Sequence, residues 1–94
     1  MTASKRQIFR YTVQVDDQPH VIHLTHDPLH VDNGATLDEV DFWAEHDDGG
    51  EYPAVFQVVG TGQPLPDGVY VGTCPRTREG LVWHLYRLPV GVRS

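Results

Sequence analysis

Between Tyr11 and Pro75 the chain has neither a lysine nor an arginine. That absence disfavours nucleic-acid binding through the middle of the protein, where nothing can displace counterions from phosphates. Cysteine occurs once, as Cys74, which excludes an intrachain disulfide framework and suits a reducing cytosol. Long apolar runs are missing too: none approaches the roughly 18 residues of a membrane span. The basic start, "MTASKRQIFRYTVQV", is followed by no apolar stretch or cleavage site of secretory type, so the expectation is a soluble, unprocessed, intracellular protein. Low-complexity tracts and internal repeats are lacking as well.

What is present is a globular composition, 39% hydrophobic and 10% aromatic over 94 residues. A single domain of that size has a thin core and a stability of about 5–14 kcal/mol. Short tails are expected at about 1–6 and 90–94. Of the 13 carboxylates, 12 fall in the window without cations, from Asp16 to Asp67, leaving only Glu79 outside. The cations are Lys5, Arg6 and Arg10 at one end and Arg76, Arg78, Arg87 and Arg93 at the other. A centre near −12 between arms near +6 (seven cations less Glu79) points to one of two arrangements. Either the acids are solvated strand ends and turns, or folding gathers them into a continuous anionic face beyond the reach of the arginines, ready for a basic partner.

Alternation of β-branched and aromatic residues between Gly, Pro, Asn and Asp punctuation predicts strands throughout and no helix. "IFRYTVQV" puts Phe9, Tyr11, Val13 and Val15 on one face, and "HVIHLT" puts Ile22 and Leu24 on one face. A "DDQP" turn would pair Val15 with His20, Val13 with Ile22 and Tyr11 with Leu24, giving a first hairpin. "LHVD" (29–32), Leu37 to His46, "EYPAVFQVV" (51–59), "VYVGTC" (69–74) and "LVWHLYRL" (81–88) complete the set, with "DDGG" turning between the fourth and fifth strands. Pro53 belongs at a strand start or on an outer edge. The last strand is apolar on both faces and is expected to be central and covered on both sides. About seven short strands without a covering helix form an all-β domain, a small antiparallel barrel or sandwich.

Chemical signals are weak. "VVGTGQPLPDGVYVGT" (58–73) has the glycines of a phosphate loop, but no lysine, an acidic Asp67, two prolines without N–H groups and a following strand. It therefore reads as a stiff connector. Six histidines, His20, His23, His26, His30, His46 and His84, raise a metal site. His20 and His23 project from opposite faces of one strand, and only His26 and His30, flanking Pro28, could approach each other. The serines, Ser4 and Ser94, sit in the tails, so nucleophilic catalysis would fall to Cys74 with His84. If Cys74 pairs with Leu81, the two are about 10 Å apart on opposite faces. The carboxylate pairs Asp38 with Asp41 and Asp47 with Asp48 read as solvated turns. No catalytic residue, metal or cofactor is expected. Trp43 alternates with acids, sharing a face with Asp41 and Glu45 while Val40, Phe42 and Ala44 share the other. It is either an exposed anchor for a cationic partner or packs on Phe56 or Tyr52.

In their order, "VDFWAEHD", "FQVVGTGQPLPDG", "YVGT" and "LVWHLYRL" resemble a family of small uncharacterised proteins encoded by actinobacterial phages and prophages. The resemblance runs from Ile8 to Leu88 and is most specific from Val59 to Asp67 and over Tyr70-Val71-Gly72-Thr73. The family usually has histidine where Gln63 stands and isoleucine where Leu65 stands, so side-chain chemistry by this loop is disfavoured. "NGATLDEV" looks like an extension of a shorter family loop. The resemblance implies a phage origin and a host-cytoplasm setting, and it brings no activity, cofactor or catalytic residue.

Two function classes follow. One is a non-enzymatic phage accessory protein, a host-takeover factor that binds and inhibits a host or phage protein through its acidic surface. Asp41, Trp43, Glu45, Asp47, Asp48, Glu51 and Tyr52 are the candidate partner-binding residues, and neither nucleic acid nor membrane is a partner. The other is a small structural protein of the virion, such as a capsid-decorating subunit, that forms homo-oligomers through apolar strand faces. An enzyme would need a deep pocket near Cys74, His84 or His26.

Overall fold

A computed structural model describes residues 6–90. The tails expected at about 1–6 and 90–94 lie outside the described residues except for Arg6 and Val90. The strands are β1 (Gln7–Gln14), β2 (His20–Leu24), β3 (Pro28–Asn33), β4 (Glu39–His46), β5 (Tyr52–Gly60), β6 (Val69–Thr73) and β7 (Trp83–Leu88). They form two antiparallel sheets, one ordered β1-β4-β3 and one β2-β5-β7-β6. The all-β expectation therefore resolves to a sandwich, not a closed barrel. Among the described residues there is no helix, and hence none long and apolar enough to cross a membrane.

The core is the pair of inner faces. Val13, Val31, Val40, Phe42 and Ala44 come from the three-stranded sheet, and Leu24, Ala54, Phe56, Val58 and Leu85 from the four-stranded one. Phe42 and Phe56 join the layers at a ring separation of 4.8 Å. Full burial of such side chains contributes about 1.5–3 kcal/mol each. At one margin β6 meets β3, where a Cβ on Gly72 would lie 2.7 Å from Val31 Cγ2. Only a glycine permits that approach of the two sheets.

The expected first hairpin is not formed. β1 pairs with β4, with Val13 opposite Val40 and Tyr11 opposite Phe42, while β2 pairs with β5, with Ile22 opposite Ala54. Tyr11, Val13, Ile22 and Leu24 all face the core as alternation predicts, but from opposite sheets and not along one ladder. Residues 15–19, with Asp17 at a φ of 60°, carry the chain from one sheet to the other. The "DDGG" turn likewise crosses between sheets instead of closing a hairpin, since β4 and β5 lie in different layers. Alternation assigns faces without choosing partners, and crossing layers buries both faces equally well.

β7 is central, laddered to β5 on one edge and β6 on the other, but it is not covered on both sides: with two layers among the described residues, only its inner face has a sheet against it. Pro53 occupies the second position of β5, exposed and beyond the β7 ladder that begins at Val55 opposite Leu88. Its missing N–H therefore removes no bond from that ladder.

Candidate functional site

Pairing of β4 with two neighbours builds a polar outer face on the three-stranded sheet. Its cross-strand rows are Arg10, Trp43 and His30, then Thr12, Asp41 and Asp32, with Ile8 opposite Glu45 and Gln14 opposite Glu39. Val40, Phe42 and Ala44 point the other way, into the core. Trp43 is on the outer side with Asp41 and Glu45. It does not pack on Phe56 or Tyr52, which belong to the other sheet, and half-buried it tilts against His30 at 5.8 Å.

Asp41 and Asp32 are direct neighbours across the ladder. Asp41 is only 6% exposed. Its Oδ1 accepts the Thr12 hydroxyl at 2.7 Å, and Arg10 Nε stands 3.9 Å from its Oδ2. Asp32 Oδ1 accepts the Asn33 N–H at 2.7 Å and has no ion-pair partner among the described residues. Like charges placed opposite each other are destabilising by a few tenths of a kcal/mol up to about 1 kcal/mol.

The arginines do not stay beyond reach of the acids. Arg6 Nη1 bonds Glu45 at 2.9 Å and its Nε lies 3.9 Å from Asp47; Arg87 Nη1 donates to Asp27 at 2.8 Å. The reason is topological: antiparallel pairing of β1 with β4 returns Arg6 and Arg10 to the acidic strand. These pairs are partly solvated and worth about 0.2–1 kcal/mol each. On the outer face four carboxylates, Asp32, Glu39, Asp41 and Glu45, still stand against Arg10 and Arg6. Arg76 and Arg78, in the β6–β7 loop, make no ion pair among the described residues.

The candidate partner-binding residues therefore divide. Asp41, Trp43 and Glu45 share the face, whereas Asp47, Asp48, Glu51 and Tyr52 follow the chain away from it into the other sheet. Asp47 is occupied by His26 at 2.7 Å and the Gly49 N–H at 2.8 Å, and these bonds with Arg6 nearby hold its carboxyl below the usual range. Tyr52 packs against the core edge, donates to Asp27 at 2.7 Å and lies under Arg87. Asp48 and Glu51 are exposed. His30, Asp32 and Glu39 belong to the face but are not among the partner-binding residues that the sequence suggests, because the β3–β4 pairing that delivers the first two has no local signature.

The 58–73 connector has a structural use. The Gly60 N–H is taken by Gln63 Oε1 at 2.6 Å and the Gln63 N–H by Gly60 O at 3.1 Å, with Gly62 at a φ of 91°. Thr61, at its start, and Thr73, at its end, both reach His84: Thr61 Oγ1 lies 2.8 Å from Nε2 and Thr73 Oγ1 2.9 Å from Nδ1. Tyr70 OH is 2.5 Å from Thr73 Oγ1. The recurrence of Val-Gly-Thr at 59–61 and 71–73 was the available signal, since each copy brings one hydroxyl to one ring nitrogen.

Cys74 and His84 form no dyad. The Cys74 N–H bonds Trp83 O and Thr73 is opposite His84, so the register differs from a Cys74–Leu81 pair. The thiol is 3% exposed, and burial first, then Asp32 and Asp41, push it up to about 11. His26 and His30 do not come together: one bonds Asp47 and the other tilts on Trp43. His20 bonds Asp16 at 2.7 Å, and His46 stacks on Phe9 at 4.4 Å.

A family described as a domain of unknown function, DUF7352, matches residues 4–93, and the chain belongs to it. No curated protein and no solved structure matches the chain.

Proposed function

We propose that this member of the DUF7352 family is a non-enzymatic accessory protein of phage origin that docks a basic protein surface in the host cytoplasm. The docking surface is the outer face of β1-β4-β3. The single observation that carries the reading is the opposition of Asp32 and Asp41, one row from the half-buried Trp43. Arg10 meets only the Asp41 side of this pair, like charges opposite each other lower stability, and a partner's guanidinium or ammonium would pair with Asp32 while lying over the indole. Ionic contacts of this type speed encounter and weaken with salt. Inhibition of the docked protein is the simplest consequence of docking for a chain whose described residues assemble no nucleophile with a base.

The test is affinity capture from an actinobacterial host lysate, with wild type beside Asp32→Asn/Glu39→Gln and Trp43→Ala, at about 50 mM and about 500 mM salt, where the Debye length falls several-fold. A basic protein held by wild type at low salt, and lost with salt or in either variant, supports the reading. Capture that is indifferent to both variants rejects this face.

The virion or capsid-decorating alternative is favoured by a different observation, the absence of charge on the outer face of β2-β5-β7-β6.

A further inference from the structure

The two outer faces of the sandwich have opposite character. On the four-stranded sheet, alternation turns Val21, Val55, His84, Tyr86, Leu88 and Tyr70 outward. The remaining outward strand positions hold Pro, Gln, His, Val or Thr, and none is Asp, Glu, Lys or Arg. Val21 is 60% exposed and Tyr70 53%. Tyr70 and Tyr86 meet edge to face at 5.8 Å, and the hydroxyls around His84 are bonded to one another or to that ring. Their polarity is largely satisfied within the face. Exposed apolar patches larger than a few hundred Å² mark interaction sites, and Val21, Val55, Leu88 and the two tyrosine rings supply the apolar part of this face.

We propose that this face is a two-fold contact between two copies of the chain. The occupant follows from charge. At net −6 the chain repels its own copy over most of its surface. The strand positions of the β2-β5-β7-β6 face carry no charge, so these strands can be laid on themselves without setting like charges against each other, with Asp17 at the margin beside Gln57, as an isologous contact requires. In that arrangement four sheets stack at about 10 Å intervals, so the two acidic faces end up on opposite outer sides about 30 Å apart. That distance is several Debye lengths of about 8 Å. Four strands at about 4.8 Å and about six residues at ~3.3 Å give each copy roughly 400 Å² of projected contact, about 800 Å² in total. This is below the roughly 1,200 Å² at which stable specific interfaces begin, so the dimer is a weak, reversible one. It does not depend on the acidic-face reading; if both hold, each dimer offers two docking faces pointing away from each other.

Sedimentation velocity from about 5 to about 500 µM, a range that brackets a weak dimer, tests the contact. Wild type should move from monomer to dimer, with at most a two-fold change in Kd between low and high salt. Tyr86→Asp and Val55→Asp should each raise Kd at least ten-fold, and Asp32→Asn should leave it unchanged. Because an aspartate could disturb folding, amide chemical shifts of isotope-labelled wild type followed on dilution give a second readout. Shifts gathered on Val21, Val55, Tyr70 and Tyr86 support the contact. A wild type that stays monomeric at the highest concentration, a dimer that survives both aspartates, or dilution shifts on the β1-β4-β3 face would each overturn it. Salt sensitivity separates this outcome from failure of the acidic-face reading, which concerns a salt-dependent complex with another protein.

Discussion

Asp32 and Asp41 stand opposite each other on β3 and β4, and among the described residues the one guanidinium in ion-pair range is that of Arg10, 3.9 Å from Asp41. Replacing one carboxylate by its amide should therefore stabilise the protein. Asp32→Asn keeps the oxygen that accepts the Asn33 N–H and removes the repulsion, so a gain of a few tenths up to about 1 kcal/mol is expected. Thermal unfolding at low and high salt reads it. The gain should shrink as salt screens the pair, and a loss of stability in Asp32→Asn would mean that Asp32 has a favourable partner.

The faces of these strands were legible from sequence, and their neighbours were not. Val13 and Ile22 were placed on the same side of a supposed hairpin, and both do point into the core, but from opposite sheets. Period-two alternation reports which side of a strand is buried; the partner depends on whether the following turn folds back or crosses, and "DDQP" and "DDGG" both cross. The same ambiguity spoiled the electrostatic expectation. Arg6 and Arg10 looked distant from Glu45 and Asp41 along the chain, yet the β1–β4 ladder sets them side by side. For Trp43 alternation leaves two readings, outward or packed on Phe56 or Tyr52, and the ladder decides: Val40, Phe42 and Ala44 take the inner face, and Phe56 and Tyr52 lie in the other sheet. Asp32 and His30 were not legible beside it, because their place there is a property of the ladder.

The hydroxyls on His84 should be energetically coupled to it. Thr73→Val removes a bond to Nδ1 and the oxygen next to Tyr70 OH, and a loss of about 0.5–1.5 kcal/mol is expected. His84→Phe should cost a similar amount. In a double-mutant cycle by chemical denaturation the pair should cost less than the sum of the singles by at least about 0.5 kcal/mol. Strict additivity would show that the bonds contribute nothing in solution.

Cys74 should be silent toward an aromatic disulfide reagent in the native protein and react only on unfolding, because the thiol is buried and held at about 11. The same elevation gives the protein an alkaline limb. A thiol whose folded value exceeds its ordinary 9.0 contributes stability that is fully present below 9.0 and is lost as pH climbs through about 11. Denaturation midpoints should therefore fall over that interval in wild type and fall less in Cys74→Ala. Fast labelling of the native protein at neutral pH would contradict the burial.

Asp27 should set part of the acid limb. The Tyr52 hydroxyl and then Arg87 hold its carboxyl below the ordinary 3.8, so its contribution is present above that value and disappears as pH falls through the lowered one. Asp27→Asn should flatten the loss of stability below about pH 4, as read by unfolding midpoints along an acid series. An unchanged acid limb would show that the bonds from Tyr52 and Arg87 are not maintained in water.

The tight approach of β6 to β3 at Gly72 gives the sharpest test of the architecture. A Cβ on Gly72 would sit 2.7 Å from Cγ2 and 3.0 Å from Cβ of Val31. Val31 is itself 7% exposed and part of the core, so it has little room to yield. Gly72→Ala should therefore force β6 away from β3 at a cost of about 1–3 kcal/mol. Val31→Ala alone should also cost stability, through the volume it empties. If the clash is what makes Gly72→Ala costly, the two changes repair each other in part, since the alanine at 72 occupies space that Val31 gives up. The double variant should then be more stable than Gly72→Ala alone or close to it, a compensation that a chain with β3 and β6 apart would not produce. Additive losses in the double variant would place β6 elsewhere, and with it the margin where the two sheets are joined.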